Sequence, residues 1–310
     1  QAWSATRSYP VHLIAEANVH DARLLAGGSP EGAYDLLWND EIPHALFSAT
    51  LGQHRIDARV YQGQEDLARA LDTGFVFERH ANQVDIVRAG AADRADLGSM
   101  MQGLQTHDQV GNQPEGLRLH QVASPELQRV GAAFVLLHPA VPMCFMGEEF
   151  AAPSPFCFFV DFGDPHLRHA VEEGRKRDYH QHDWGTFVSP VEEETFWRSK
   201  LCEPREGDAG MLDWYRSLIA LRKEWKKAGI LRTENLTVTH DAGSGLFTMS
   251  YLGTHQVVVN LGAELVSLPP GAAVILHSTG LGSAPRLPSL SAAVISSGSP
   301  IDAPGVPAAG

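Results

Sequence analysis

Val11-His12-Leu13-Ile14-Ala15-Glu16 is an apolar run that ends in a carboxylate. A strand of a parallel sheet covered on both faces reads this way, and polar groups gather at the C-terminal end of such strands. Two later stretches repeat the pattern. Met100 to Gln105 runs into Thr106-His107-Asp108-Gln109, and Met143 to Met146 runs into Gly147-Glu148-Glu149. Helical spacing lies between them, at Ala45, Leu46 and Ala49 and again at Leu67, Ala70 and Leu71. A third helix opens at Ser124 as N-cap, with Pro125 at its first position and Glu126 favourable to the helix dipole. Leu127, Val130, Ala133, Phe134 and Leu137 give that helix one apolar face, and Pro139 and Pro142 close it. Strand, acid, helix, strand, acid is an α/β alternation.

Further along, Ala151 to Gly210 reads as irregular and is too long for a plain connection. Met211 to Lys227 is a helix with Leu212, Tyr215, Leu218, Ile219 and Leu221 on its apolar side. From Gly229 the pattern changes to short strand-like runs, Leu236–Thr239, Leu246–Leu252, Gln256–Leu261, Leu265–Leu268, Ala273–His277 and Leu290–Ile295, separated by Gly, Asp and Pro turns. The expected organisation is therefore an α/β part over 1–228, a small antiparallel β domain over 229–296, and a Ser/Pro/Ala/Gly tail over 297–310 that should be disordered. Residues 78–98 carry only weak periodicity and receive no assignment. A complete (β/α)8 barrel takes about 250 residues, and roughly 200 at the least. Three or four strand signals in the first 228 residues imply either a smaller open sheet or a barrel without its first half.

Composition narrows the partners. Lys and Arg number 24 against 37 acids, a formal charge of −13. No basic stripe exists to release phosphate counterions, so a nucleic-acid partner is not expected. Cys144, Cys157 and Cys202 form no C-x-x-C pair and cannot staple a fold of this size, which fits a reducing compartment. The longest apolar run, Ala132 to Met146, is too short for a membrane span and is broken by His138, Pro139 and Pro142. The chain starts at Gln1 with no signal peptide, so the expectation is a cytoplasmic protein, or a piece of one, with no membrane partner. No cofactor is expected.

Glu16 and Asp108 end two different strands. Such carboxyl groups suit glycoside hydrolysis, in which one is protonated to help the leaving oxygen depart and others stay ionised to answer oxocarbenium charge. His107, Asp108 and Gln109 together offer one charge and several directional donors and acceptors, as a polyhydroxylated ligand requires. An Asx turn explains that tetrapeptide equally well. His166, His169, His180 and His182 have irregular spacing and no cysteine close in sequence, so no metal site is expected there. Trp184, Trp197 and Trp214 could stack on sugar rings, although Trp214 suits core packing better.

Several segments together carry a family resemblance: His12-Leu13-Ile14-Ala15-Glu16, Asp21 with Arg23-Leu24-Leu25, Trp38-Asn39-Asp40, His44-Ala45-Leu46, His107-Asp108-Gln109-Val110-Gly111-Asn112, Phe145-Met146-Gly147-Glu148-Glu149-Phe150 and Glu173-Gly174-Arg175-Lys176-Arg177. In order and spacing, over roughly residues 10–295, they resemble the trehalohydrolases of the α-amylase superfamily, glycoside hydrolase family 13. The resemblance implies the second half of a (β/α)8 TIM barrel, about strands 5–8, followed by a small antiparallel β-sandwich domain. It implies a retaining hydrolase that cuts the α-1,4 bond next to the trehalose end of a maltooligosyl trehalose and releases trehalose. By the same resemblance Glu16 is the general acid/base, Asp108 the transition-state carboxylate and His107 its sugar-hydroxyl partner, with Gln109, Asn39 and Asp40 as substrate-binding residues. The family's nucleophile, an aspartate after strand four of the barrel, has no match here. Gly116-Leu117-Arg118-Leu119-His120 resembles its motif but lacks the acid and lies beyond Asp108. Little or no hydrolysis is therefore expected of this chain alone.

Departures from the family pattern fall on substrate-facing loops: Ala17-Asn18 after the acid, Thr106 before the His-Asp pair, Gln113, and Asp40-Glu41-Ile42-Pro43-His44. By position, Glu148 and Glu149 belong to the active face, one to contact sugar hydroxyls and the other to cap or pair with an arginine. Two alternatives stand beside the hydrolase. One is a non-catalytic glucan-binding or interaction module, since half a barrel exposes sheet edges that a second copy or an N-terminal half would cover. The other is a different superfamily member, such as a branching enzyme.

Overall fold

Four short strands share one sheet in the order in which the chain makes them: β1 (Ile14–Glu16), β2 (Leu36–Trp38), β3 (Met100–Gly103) and β4 (Val141–Met143). The structure is a computed structural model and describes residues 6–17, 20–25, 34–52, 55–56, 59–78, 86–90, 94–178, 188–279 and 286–297. Pairing is parallel from β1 to β2, with Glu16 opposite Trp38, and parallel from β2 to β3, with Leu37 opposite Met100. The strand order follows the chain and has no switch point, so the sheet is wound in one direction, as in a barrel, and not doubly wound. β1 lies at one edge with Leu13 and Ile14 exposed.

The strands differ from the sequence expectation in three ways. β2 has no signal in the sequence: Leu36-Leu37-Trp38 is too short to show a period, yet it sits between β1 and β3 with Leu37 buried. β4 occupies Val141–Met143 instead of Met143–Met146, and so contains Pro142. A proline is tolerated at the edge of a sheet, where its missing N–H faces no partner. β3 ends at Gly103, and His107–Gly111 form a short helix, α3, instead of continuing the strand.

Helices α1 (Glu41–Leu51) and α2 (Gln64–Thr73) connect β2 to β3, and α4 (Pro125–Leu136) connects β3 to β4. Leu127, Val130, Ala133, Phe134 and Leu137 are all buried, as their spacing requires. Gly74 ends α2 at φ 90°, and a Cβ there would lie 2.6 Å from Met100 Sδ, so the position needs glycine both for backbone and for space. Residues 151–210 are not irregular throughout, because α5 (Pro165–Asp178) and α6 (Glu193–Arg198) lie within them. Where residues 78–98 show only weak periodicity, a short antiparallel pair forms, Phe77–Glu78 with Val87–Arg88.

After α7 (Ala209–Lys227) come β5 (Leu236–Asp241), β6 (Leu246–Tyr251), β7 (His255–Asn260), β8 (Ala273–His277) and β9 (Ser291–Ser296). They form one antiparallel sheet ordered β8-β9-β7-β6-β5, and the pair Val266–Ser267 with Arg286–Leu287 lies apart from it. Val258, Leu268, Leu287, Ala293 and Ile295 pack together between these layers.

By compactness the chain divides into one unit of Gln1–Gln102, Arg129–Pro142 and Ser217–Gly310, and another of Gly103–Gln128 and Met143–Arg216. Within the first unit the Tyr251 hydroxyl donates to Leu137 O (2.6 Å), and Phe134 meets Phe247 edge-to-face. Arg222 donates to the carbonyls of Leu136, His138 and Ala140 at 2.6–2.9 Å. No helix among the described residues is long and apolar enough to cross a membrane. The tail from residue 298, together with Asn18, His180, His182 and Trp184, lies outside the described residues.

Candidate active site

Asp108 owes its position to a capped turn. Thr106 has extended backbone and its Oγ1 accepts from Asp108 N (3.1 Å), which starts α3. The Thr106 hydroxyl in turn donates to Gln109 Oε1 (2.5 Å), so the Gln109 side chain is engaged within its own turn. His107 and Asp108 project outward with their side chains 54% and 53% exposed, His107 Nε2 lying 3.5 Å from Asp108 Oδ1. Asn112, one turn on, donates through Nδ2 to Asp108 Oδ1 (3.3 Å). Arg175 from α5 holds this arrangement from behind, donating to Gly111 O (2.7 Å) and to Asn112 Oδ1 (3.1 Å). The result is a solvent-facing carboxylate beside an imidazole, oriented by an asparagine whose own amide is fixed. Such a pair can accept hydrogen bonds from hydroxyls and answer positive charge. Arg175 carried no role in the sequence, where only the resemblance singled out its segment.

Glu16 stands at the end of β1 with its side chain exposed. It belongs to the first compact unit, and Asp108 to the second.

Asn39 and Asp40 follow β2 and face a different environment. Asn39 is buried, and its Oδ1 accepts from Glu41 N (2.9 Å), fixing the start of α1. Asp40 is gripped on both oxygens, by Arg59 Nη1 (2.7 Å) and by His44 Nε2 (2.8 Å). Burial works to raise this carboxyl, but His44 and Arg59 outweigh it and bring it down to about 2. Glu41 beside it is buried, accepts from Phe77 N (3.2 Å) and faces the Tyr61 hydroxyl; burial pushes it up to about 8. These acids bind the fold together.

Glu148 turns inward as well. It is buried, takes the Tyr215 hydroxyl on Oε1 (2.8 Å) and accepts at its backbone oxygen from Gln128 Nε2 (2.6 Å); burial pushes its carboxyl up to about 7. Arg118, also buried, donates to Met146 O and Ser154 O, both at 2.7 Å. Glu149 is half-buried. Trp214 is in the core, whereas Trp197 is 51% exposed. Among the described residues no group of three or more His, Cys, Asp or Glu is placed to hold a metal ion.

No family profile matches the chain. It is 32% identical over 280 residues to a malto-oligosyltrehalose trehalohydrolase of Mycobacterium tuberculosis, covering 86% of this chain and 47% of that protein. A malto-oligosyltrehalose trehalohydrolase of a Rhizobium species is 32% identical over 312 aligned positions, covering 95% of this chain and 52% of the relative. Along most of its own length the chain is similar to the malto-oligosyltrehalose trehalohydrolases. It spans about half the length of these relatives. Among solved structures, a Salmonella typhimurium protein described as an alpha amylase superposes with a TM-score of 0.74 at 27% identity, over 93% of this chain and 51% of that one. A Thermus thermophilus protein shares the fold at a TM-score of 0.51 and 18% identity, over 92% of this chain and 52% of the other. The fold is thus of the α-amylase kind, with part of a barrel followed by a β domain.

Proposed function

We propose that this chain supplies the acid/base half of a retaining family 13 glycoside hydrolase acting on α-glucans, and that its substrate is a malto-oligosyl trehalose cut at the α-1,4 bond next to the trehalose end. The strands β1 to β4 are read as strands five to eight of the barrel. In this reading Glu16 protonates the leaving glycosidic oxygen and later deprotonates the attacking water, while Asp108 and His107 answer the charge and hydroxyls of the sugar ring. The observation that supports it most is the His107-Asp108 turn: an exposed carboxylate oriented by Asn112 and Arg175, in a chain with this sequence kinship. Asn39 and Asp40 act indirectly in this scheme, holding the loop after β2.

Retaining chemistry also needs a carboxylate nucleophile, which the resemblance locates on a strand before β1 and which none of these 310 residues matches. Maltotriosyl trehalose incubated with the 310-residue chain is expected to yield no detectable trehalose. Joining the chain to an upstream segment whose strand ends in aspartate should restore release, and Glu16→Gln should abolish it again. Brisk release by the chain alone, or a restored enzyme indifferent to Glu16→Gln, would overturn the assignment.

A further inference from the structure

The second compact unit leaves a run of aromatic rings open to solvent. Phe158, Phe159, Phe162, Phe196 and Trp197 are each between 37% and 51% exposed. Phe145, Phe156, Phe159, Phe196 and Trp197 touch in succession, edge to face, with centroids 5.1–6.2 Å apart. An open apolar surface of this kind marks an interaction site more often than chance exposure.

The run begins against the Asp108 turn. Phe156 N donates to Gly116 O (2.8 Å), and a Cβ on Gly111, the last residue of α3, would lie 3.6 Å from Phe156 O. Phe158 lies beneath the guanidinium of Arg175, at 4.0 Å from its ring centroid. That same guanidinium donates to Gly111 O and to Asn112, and Asn112 donates to Asp108. One arginine therefore joins the rings to the candidate active carboxylate, within a single compact unit.

We propose that Phe158, Phe159, Phe196 and Trp197 form an extended binding track for an α-glucan chain, continuous with the Asp108 turn. The proposal rests on the reading of that turn as a site for α-glucans. The surface is made of rings, whose faces suit the C–H faces of glucosyl units, and not of aliphatic side chains. A carboxylate stands at the ring edge, where a sugar carries its hydroxyls, Glu193 accepting from Trp197 Nε1 (2.8 Å), while Lys200 Nζ lies over one face of Trp197, 4.6 Å from its centroid. These contacts and the edge-to-face succession fix the rings in advance, so little side-chain freedom is lost when a ligand arrives. The formal charge of −13 disfavours a polyanion on the same surface.

Calorimetry on the whole chain tests this with two probes, maltoheptaose, long enough to follow the rings, and maltose, which reaches only the Asp108 end. The double variant Phe196→Ala/Trp197→Ala should weaken maltoheptaose about tenfold while leaving maltose within about twofold. Trp197→Gln alone, a change confined to an exposed side chain, should weaken maltoheptaose about threefold and guards against misfolding of the double variant. Equal maltoheptaose affinity in wild type and variants would overturn the track and leave the Asp108 reading intact. Binding of neither probe by the wild type would overturn both. A dimer in sedimentation that the double variant dissolves, with maltoheptaose unaffected, would make the rings a self-association face and overturn the glucan track.

Discussion

Two turns that follow parallel strands, one after β2 and one after β3, carry the same kind of residue and use it differently. After β2, Asp40 is clamped between Arg59 and His44, and Glu41 is buried against Phe77 and Tyr61. After β3, Asp108 leans on Asn112 and His107 at longer distances and stays open to water. The sequence around them is similar in character, an apolar run followed by acids and amides. What separates them is whether the fold supplies a cation. A carboxylate at a strand end is free to meet a ligand only where no arginine of its own chain has reached it first.

The largest test of that contrast is Arg59→Met. It leaves Asp40 without its guanidinium in a largely enclosed position, and a loss of about 3–5 kcal/mol of unfolding free energy is expected in urea titrations. A loss below about 1 kcal/mol would show that Asp40 is no more committed to the fold than Asp108. The pH dependence sharpens the point, because the two neighbouring acids pull in opposite directions. Glu41 has a folded value of about 8 against an ordinary 4.5, so the folded chain holds the proton more tightly; this contribution is complete below about 4.5 and is lost as pH rises through about 8. Asp40 is lowered from 3.8 to about 2, so its contribution is present above 3.8 and is lost as pH falls through about 2. Glu148, raised to about 7, adds to the Glu41 trend. Melting temperature should therefore fall between about pH 5 and 8, and Glu41→Gln should flatten part of that slope; an unchanged slope would remove Glu41 from the account.

Smaller effects belong to the open turn. Thr106→Ala removes the cap of α3 and should cost about 1 kcal/mol, read by denaturation and by faster amide exchange at Asp108. Asp108→Asn, which keeps the shape and removes only the charge, should change stability by no more than about 0.5 kcal/mol. A cost comparable to that of Arg59→Met would mean that Asp108 is structural and would remove it from the candidate site.

Legibility in the sequence followed length and locality. The face of α4 was readable because five apolar positions recur over three turns behind a Ser-Pro start. β2 was not, because three residues cannot display a period and its neighbours β1 and β3 decide its fate. In sequence Pro142 reads as a stop, and only the sheet order places it at an edge where it is harmless. Glu16 is legible as an acid at a strand end, whereas Asp108 lies in α3, beyond the end of β3 at Gly103. That Asp40 and Glu148 are engaged is not legible, since their partners Arg59 and Tyr215 lie 19 and 67 residues away in the chain. The link from Arg175 to Asn112 spans 63 residues and was invisible for the same reason.

Arg222 gathers the carbonyls of Leu136, His138 and Ala140, the three that lead out of α4 into β4. During synthesis those oxygens leave the ribosome more than eighty residues before their donor does. The corner they form must wait, hydrated and unfixed, until α7 emerges, so β4 locks late in biogenesis. A messenger truncated before the Arg222 codon would yield a nascent chain whose parallel sheet is still unsealed, open to proteases at the bend that the finished protein buries.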